Sequence, residues 1–322
     1  MYRSLKQHCP AAQLWVLCLS DECYHVLEEL SWPDIIPIKL EDFEQGDSEL
    51  LAAKANRSQI EYYFTCTPSL PLFVLNHNPA IDLITYLDSD LFFFNDPEPI
   101  FQEMQNHSIA IIKHRFPEQH RWMEQNGIFN VGWLTFRRDN EGLACLSWWR
   151  ERCLEWCHDY IDGERFADQK YLDRFPELFA SLKVVEHKGA NLAAWNLGNY
   201  KLYASSNVLL VDDQPLLFYH FQGLRKIAPG VIDPCVQFYN LRVSWFMEWK
   251  LFRPYLRRLQ EAQQLIVTAM GHTELLMGLQ RGRSEDNVDI TQLIDRPAST
   301  NIEKLLSAYR GVLARRFLLS FN

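Results

Sequence analysis

The stretch Ile84–Phe94, ITYLDSDLFFF, is an apolar run broken by two carboxylates, Asp88 and Asp90. A run of this kind demands burial and reads as one core strand. Alternate side chains of an extended strand share a face, so both carboxylates would aim the same way. Two carboxylates held together repel unless positive charge lies between them. A hard divalent cation meets that need, because Mg²⁺ and Mn²⁺ take oxygen ligands and bridge protein carboxylates to a diphosphate. The other reading is a strand end that turns through Asp-Ser-Asp into solvent. Apolar flanks on both sides weigh against a simple solvent loop.

Further strands punctuate the chain at 13–19, 35–40, 109–112, 129–136, 182–185 and 216–220, and helical patterns alternate with them. Helices are expected over 2–9, 21–30 with Ser20 as cap, 50–65, 70–76 after Pro68, 100–105, 143–160 and 166–174, and an acidic loop over 41–48. Strands alternating with helices predict an α/β fold with a mainly parallel sheet flanked by helices. The character changes near Arg242. Residues 243–270 form a long aromatic and basic helical stretch, 281–289 a charged linker, and 302–319 a second amphipathic helix. The expected division is a domain over 1–241 and a helical C-terminal extension over 242–322.

Bulk properties narrow the function. Of 322 residues, 48% are hydrophobic and 13% aromatic, enough for a sizeable core. The formal net charge of −9 argues against a nucleic-acid partner. Charge is uneven: from Lys250 onward 11 Lys/Arg face 7 Asp/Glu, a balance of +4, which leaves −13 on the remainder. The eight cysteines form no C-x-x-C pair, and they read as reduced thiols in a cytoplasmic protein. No run of about 18 apolar residues is present.

Downstream of Asp88 come Asn130-Val-Gly-Trp133, Asp168-Gln169, Lys188-Gly-Ala-Asn191, Trp195-Asn196 and Tyr219-His220-Phe-Gln-Gly223-Leu-Arg-Lys226. Each alone reads as a turn, a solvated helix face or a satisfied histidine. In this order they resemble the retaining nucleotide-sugar glycosyltransferases of the GT-A fold, glycosyltransferase family 8 and its glycogenin-like relatives. The resemblance spans about Met1 to Lys226, and Tyr-Leu-Asp-Ser-Asp and His-x-x-Gly-x-x-Lys are its most specific parts. The family follows the second element with Pro-Trp, where this chain has Ile227-Ala228.

The resemblance implies a Rossmann-like GT-A sheet and a hexosyl transfer from a nucleoside-diphosphate sugar, a UDP-sugar first of all, to a hydroxyl with retention of configuration. It makes Asp88, Asp90 and His220 the metal ligands. Imidazole beside carboxylates suits Mn²⁺ better than Mg²⁺, which stays as the alternative. It makes Asp168, Gln169 and Lys226 the catalytic group, with Lys226 and Gly223 closing on the diphosphate. Ser89, Asn130 and Asn196 would line the donor site. Lys54 and Arg57, taken as one helical turn apart, would reach the donor phosphates, and a surface helix face is the competing reading. The resemblance implies a first strand with the base contacts ahead of the helix that matches Tyr2–His8; the expectation is that the start lies upstream, that another segment fills the gap, or that base recognition is weak.

Two other classes stand beside this reading. One is a nucleotidyltransferase or phosphohydrolase on a similar sheet, which would want a further acidic cluster. The other is a non-catalytic sugar- or protein-binding module using Trp122, Trp133, Trp148 and Trp149. The acceptor is a carbohydrate, a lipid-linked molecule or a protein. Aromatics and arginines in 245–258 and 302–319 are expected to dock the tail on a membrane surface or a second copy, or to cover the sheet.

Overall fold

The structure, a computed structural model, describes residues 1–228, 231–270 and 319–320. It divides into two compact units, Met1–His220 and Phe221–Asn322. The first runs α1 (Tyr2–His8), β1 (Leu14–Cys18), α2 (Asp21–Leu30), β2 (Ile35–Lys39), α3 (Leu40–Glu44), α4 (Ser48–Lys54) and α5 (Gln59–His77). It continues through β3 (Leu83–Leu87), β4 (Leu91–Phe93), α6 (Glu98–Met104), β5 (Ile109–Lys113), β6 (Phe129–Arg137), α7 (Asn140–Glu155), α8 (Phe175–Leu178) and β7 (Leu182–Val185). It closes with β8 (Leu192–Ala193), β9 (Leu202–Ser205), β10 (Val208–Val211), β11 (Gln214–Pro215) and β12 (Phe218–His220).

The expected α/β architecture is present, with helices packed on a four-stranded sheet of order β3-β6-β5-β7. Its pairing is mixed rather than mainly parallel. β6 runs antiparallel to both β3 and β5, and only β5 and β7 run parallel. A parallel neighbour needs a crossover, usually a helix; the link from β5 to β6 holds only 3₁₀ turns over Glu118–Asn126. β1 and β2 form a separate parallel pair. β12 sits between β4, antiparallel, and β8, parallel.

Three expectations are corrected here. The Ile84–Phe94 run is two strands. The chain turns at Asp88-Ser89-Asp90, closed by the Leu91 amide donating to the Asp88 carbonyl at 3.4 Å. β3 joins the main sheet and β4 joins β12, so the two carboxylates stand on a corner between sheets rather than along one strand. The acidic stretch 41–48 contains α3, because Phe43 buries against Leu50 and Tyr62. Two helices expected within 50–76 are differently cut: α4 ends at Lys54, and α5 runs unbroken through Pro68 and Pro71. An interior proline costs roughly 3 kcal/mol. Burial of Tyr62, Cys66, Val74 and Leu75 on the same helix offsets it.

Two apolar clusters support the sheet. One gathers Trp149, Phe136, Phe175, Leu134 and Leu146 between α7 and the strands. The other gathers Leu5, Leu91, Phe93, Ile100, Trp133 and Phe218. In it Trp133 stacks on Phe218 with ring centroids 5.3 Å apart, which ties β6 to β12.

The second unit holds the antiparallel β13 (Arg225–Ala228) and β14 (Val231–Asp233), and β15 (Leu319–Ser320) pairs with β14. The expected long helix is present as α9 (Trp245–Met247), a π turn at Glu248–Phe252 and α10 (Arg253–Met270). Phe221 stacks on Tyr255 at 3.9 Å. Except for Leu319, the expected linker and second amphipathic helix lie outside the described residues.

Candidate metal centre

The corner at Asp88-Ser89-Asp90 meets two other elements. β4 pairs with β12 so that Leu91 lies opposite His220. This brings the imidazole beside Asp90, with Nε2 3.0 Å from an Asp90 carboxylate oxygen and 3.5 Å from Asp88. β6 arrives on the other side. Its ladder with β5 jumps from Leu134, opposite Ile111, to Asn130, opposite Ile112. The irregularity frees the Val131–Trp133 segment from β5, and bulges of this kind re-aim side chains next to functional sites. The Gly132 carbonyl then accepts from the Asp88 amide at 3.2 Å, and Asn130 faces His220.

Gly132 is required at this point. A Cβ there would lie 2.7 Å from Asn130 Oδ1 and 2.7 Å from the His220 ring, closer than a side chain tolerates. The glycine of Asn-x-Gly is thus the space into which the imidazole and amide pack.

One ligand atom from each of Asp88, Asp90 and His220 lies within 4.8 Å of the others. His220 is 2% exposed, whereas the carboxylates are 32% and 35% exposed, so the group is walled at the back and open at the front. Burial works against an imidazolium, but the Asp90 and Asp88 carboxylates outweigh it and raise the His220 pKa. Two carboxylate oxygens and one imidazole nitrogen fit a divalent cation with positions left for further ligands. The donor set and the open face can therefore hold such a cation. Ser89, between the carboxylates, is exposed.

Asp168 lies in the same neighbourhood. Burial pushes its carboxyl up to about 7; a Thr67 hydrogen bond opposes the rise and the Asp88 charge adds to it. The Trp149 indole donates to the Asp168 carbonyl at 2.7 Å, and Ala167 is left-handed with φ 45°. Tyr86 donates from its hydroxyl to Asp88 Oδ1 at 3.0 Å. Gln169 Oε1 accepts from Asn130 Nδ2 at 3.4 Å, and Gln169 Nε2 donates to the Asn126 carbonyl at 3.0 Å. Asp168, Gln169 and Asn130 are thus brought together with the metal-ligand group.

Lys54 and Arg57 stand differently. Lys54 ends α4 and Arg57 lies beyond it, so no single helix face carries both. Lys54 Nζ donates to both Glu44 oxygens, at 2.7 and 2.9 Å. Arg57 lies 3.3 Å from His158 Nε2 and donates to the Leu154 carbonyl. Asn196 is fully buried: its Nδ2 donates to the His114 and Asn191 carbonyls, and its oxygen accepts from the Ala193 amide. Gly223 belongs to the second unit, with φ +80°, and the Lys226 backbone pairs with Ile232 there. The Lys226 side chain lies outside the described residues.

Two residues were missed at the sequence level. His114 accepts from Asn130 Nδ2 at 3.2 Å, and Tyr86 bonds Asp88. Tyr86 sits two residues before Asp88, so alternation alone could have found it. No local pattern marks His114. Of the tryptophans proposed as a binding surface, Trp133 and Trp149 are buried and Trp122 is exposed. Asp88-Asp90-His220 is the one such metal-ligating group among the described residues. No described helix is long and apolar enough to cross a membrane.

No protein-family model matches the chain. It is 32% identical over 263 residues to the uncharacterized protein YfnD of Bacillus subtilis (strain 168), covering 81% of this chain and 83% of YfnD. It is 34% identical over 236 residues to the uncharacterized protein YfnF of the same organism, covering 71% of this chain and 77% of YfnF. Among solved structures it is similar to a glycosyltransferase involved in the glycosylation of the major capsid of PBCV-1, at 12% identity and a TM-score of 0.38, over 66% of this chain and 94% of that one. It is also similar to mouse xyloside xylosyltransferase 1 in its apo form, at 14% identity and a TM-score of 0.37, over 59% of this chain and 76% of that one.

Proposed function

The chain belongs to the family of the Bacillus subtilis proteins YfnD and YfnF, and from its site we propose that it is a metal-dependent glycosyltransferase. The observation that carries the reading is the convergence of Asp88, Asp90 and His220 within 4.8 Å at an open corner of the sheets. The sequence elements that carry these three residues resemble GT-A motifs, which supports the reading. The donor is a nucleoside-diphosphate sugar, UDP-linked and hexosyl, and the acceptor is a hydroxyl on a carbohydrate, lipid-linked molecule or protein. Configuration at the anomeric carbon is retained.

Asp88, Asp90 and His220 would hold the cation, Mn²⁺ in first place, which when bound supplies charge neutralisation of the diphosphate. Asn130 keeps the imidazole in place. Asp168 and Gln169 face the donor sugar, where an ionised Asp168 favours positive charge developing at the anomeric carbon. Lys226 and Gly223 close on the diphosphate, and Ser89 and Asn196 complete the donor wall. Lys226 favours the leaving diphosphate by its ammonium charge. The protein acts in the cytoplasm. Residues 242–322 serve as a non-catalytic extension that docks on a membrane surface or on a second copy of the chain.

The test uses the purified protein with a panel of UDP-sugars, with and without Mn²⁺. Sugar transfer or slow donor hydrolysis should depend on the cation, and Asp90→Ala should remove it while leaving the circular dichroism spectrum unchanged. Wild-type activity in Asp90→Ala would overturn the assignment.

A further inference from the structure

His114 is linked to the metal-ligand group through Asn130. It is 5% exposed and stacks on Phe116 at 4.7 Å. Trp195 meets it edge-on at 5.4 Å and meets His220 edge-on at 5.2 Å, so one indole braces both imidazoles. A chain of hydrogen bonds also joins the two rings. His114 Nδ1 lies 3.3 Å from the Ile128 carbonyl, and His114 Nε2 lies 3.2 Å from Asn130 Nδ2. Asn130 Oδ1 lies 3.2 Å from His220 Nδ1.

The direction of this chain is set at both ends by groups that have no choice. A carbonyl only accepts, so His114 Nδ1 must carry its proton toward Ile128. Neutral His114 then presents Nε2 as an acceptor. At the other end the Gly132 backbone N–H, which only donates, lies 3.1 Å from Asn130 Oδ1. The Asn130 oxygen therefore points at Gly132 and His220, and its Nδ2 points at His114. Gln169 Oε1 takes a second hydrogen of the same amino group. With Oδ1 facing it, His220 Nδ1 must donate; Nε2 donates to the Asp90 carboxylate 3.0 Å away, and it is this second proton that a cation would displace, leaving Nε2 as the ligand atom and the Nδ1 proton held by Asn130.

We infer that His114 is a positioning residue for the metal centre, which acts through the Asn130 amide to hold His220 in the tautomer that presents Nε2. The proposal rests on the metal reading of the Asp88-Asp90-His220 group. Rotating the Asn130 amide would offer His220 a donor where it now finds an acceptor. The proton would move to Nε2 and face the carboxylates, and the imidazole would cease to be a ligand. Partners one shell out from a metal commonly contribute 10–100-fold in affinity.

The experiment has two readouts. In metal-free, ¹⁵N-histidine-labelled wild type, long-range ¹⁵N–¹H correlations should find a proton on Nδ1 of both His114 and His220, and none on His114 Nε2. A bare Nδ1 on either ring, or a proton on His114 Nε2, overturns the inference without any variant. Mn²⁺ affinity is then titrated by electron paramagnetic resonance for wild type, H114F and H114Q. H114F keeps a ring but lacks an acceptor, and should bind Mn²⁺ at least tenfold more weakly. H114Q, whose amide oxygen reaches about as far as Nε2, should recover most of that loss. H114F equal to wild type, or H114Q as weak as H114F at equal melting temperature, would overturn it. If wild type takes up no Mn²⁺, the metal reading falls, and the tautomers still decide the relay.

Discussion

Two polar clusters of the first unit look alike in sequence and differ in structure. Around Asp88 and Asp90, carboxylates from one corner converge on a single imidazole, and a third carboxyl, Asp168, feels the Asp88 charge. Around Lys54 and Arg57, each basic side chain is already bonded within the protein. Lys54 closes on Glu44, which also accepts from the Tyr62 hydroxyl at 2.7 Å. Arg57 leans on His158, whose Nδ1 lies 3.0 Å from Glu61. The first cluster gathers like charges at an open face, an arrangement that a bound cation would stabilise. The second engages its basic groups internally, and Glu44, between Lys54 and Tyr62, fastens α3, α4 and α5 together. Being basic near a presumed phosphate site does not by itself mark a ligand; what the charge is already bonded to decides it.

The comparison can be sharpened by substitutions of decreasing expected effect. Gly132→Ala should be the most damaging. Its Cβ falls 2.7 Å from the amide oxygen and imidazole that define the centre. Overpacking of this kind costs about 1–3 kcal/mol. Thermal unfolding should shift down, and cation-dependent activity should fall more than tenfold; an unshifted melting curve with full activity would show that the close approach is not needed.

Asp168→Asn comes next. It should lower turnover about tenfold or more and leave nucleotide affinity nearly unchanged, as expected for a group acting in the transition state. Because the carboxyl titrates at about 7, wild-type turnover should rise as pH increases through 7 if the ionised form is the working one. The variant should lose that limb. A rate profile in the variant that still rises through 7 would assign the limb to another group.

Much of this site was legible in the sequence, and the failures have physical causes. Asp88, Asp90, His220, Asn130, Asp168 and Gln169 could be named because their spacing matches a known order. Leu182–Val185 and the Ser20-capped helix were placed because burial and capping are local signals. The break of Ile84–Phe94 was hidden because its flanks are equally apolar, and only the pairing of β4 with β12 divides it. The β9–β11 meander was missed because Leu202–Pro215 carries weak alternation. His114 was invisible because its role depends on contacts 16 and 106 residues away in sequence, through Asn130 and on to His220.

Lys54→Met tests the second cluster. It leaves Glu44 bonded only to Tyr62, and should lower stability by about 1 kcal/mol or less, since the lysine is 43% exposed. Mn²⁺ and nucleotide affinity should not move; a tenfold loss in either would return Lys54 to the donor site.

The smallest effect is in acid. Glu61 caps α5 with Ser58 and bonds the Asp159 amide and His158. Burial raises its pKa, but the bonds from Ser58, Asp159 and His158 prevail and hold it near 2. A folded pKa below the unfolded value of about 4.3 contributes stability that is present above that value and lost as pH falls toward 2. Glu61→Gln should therefore flatten the decline of melting temperature across that window; an unchanged slope would exclude Glu61 as a source of it.

The central claim is that Asp88, Asp90 and His220 form a cation site. Calorimetric titration of Mn²⁺ into the wild type and into Asp88→Asn/Asp90→Asn, with and without UDP, tests it most directly. One Mn²⁺ per chain in the wild type, tightened by UDP and absent from the double variant, is the result expected. Equal Mn²⁺ binding by both proteins would contradict it.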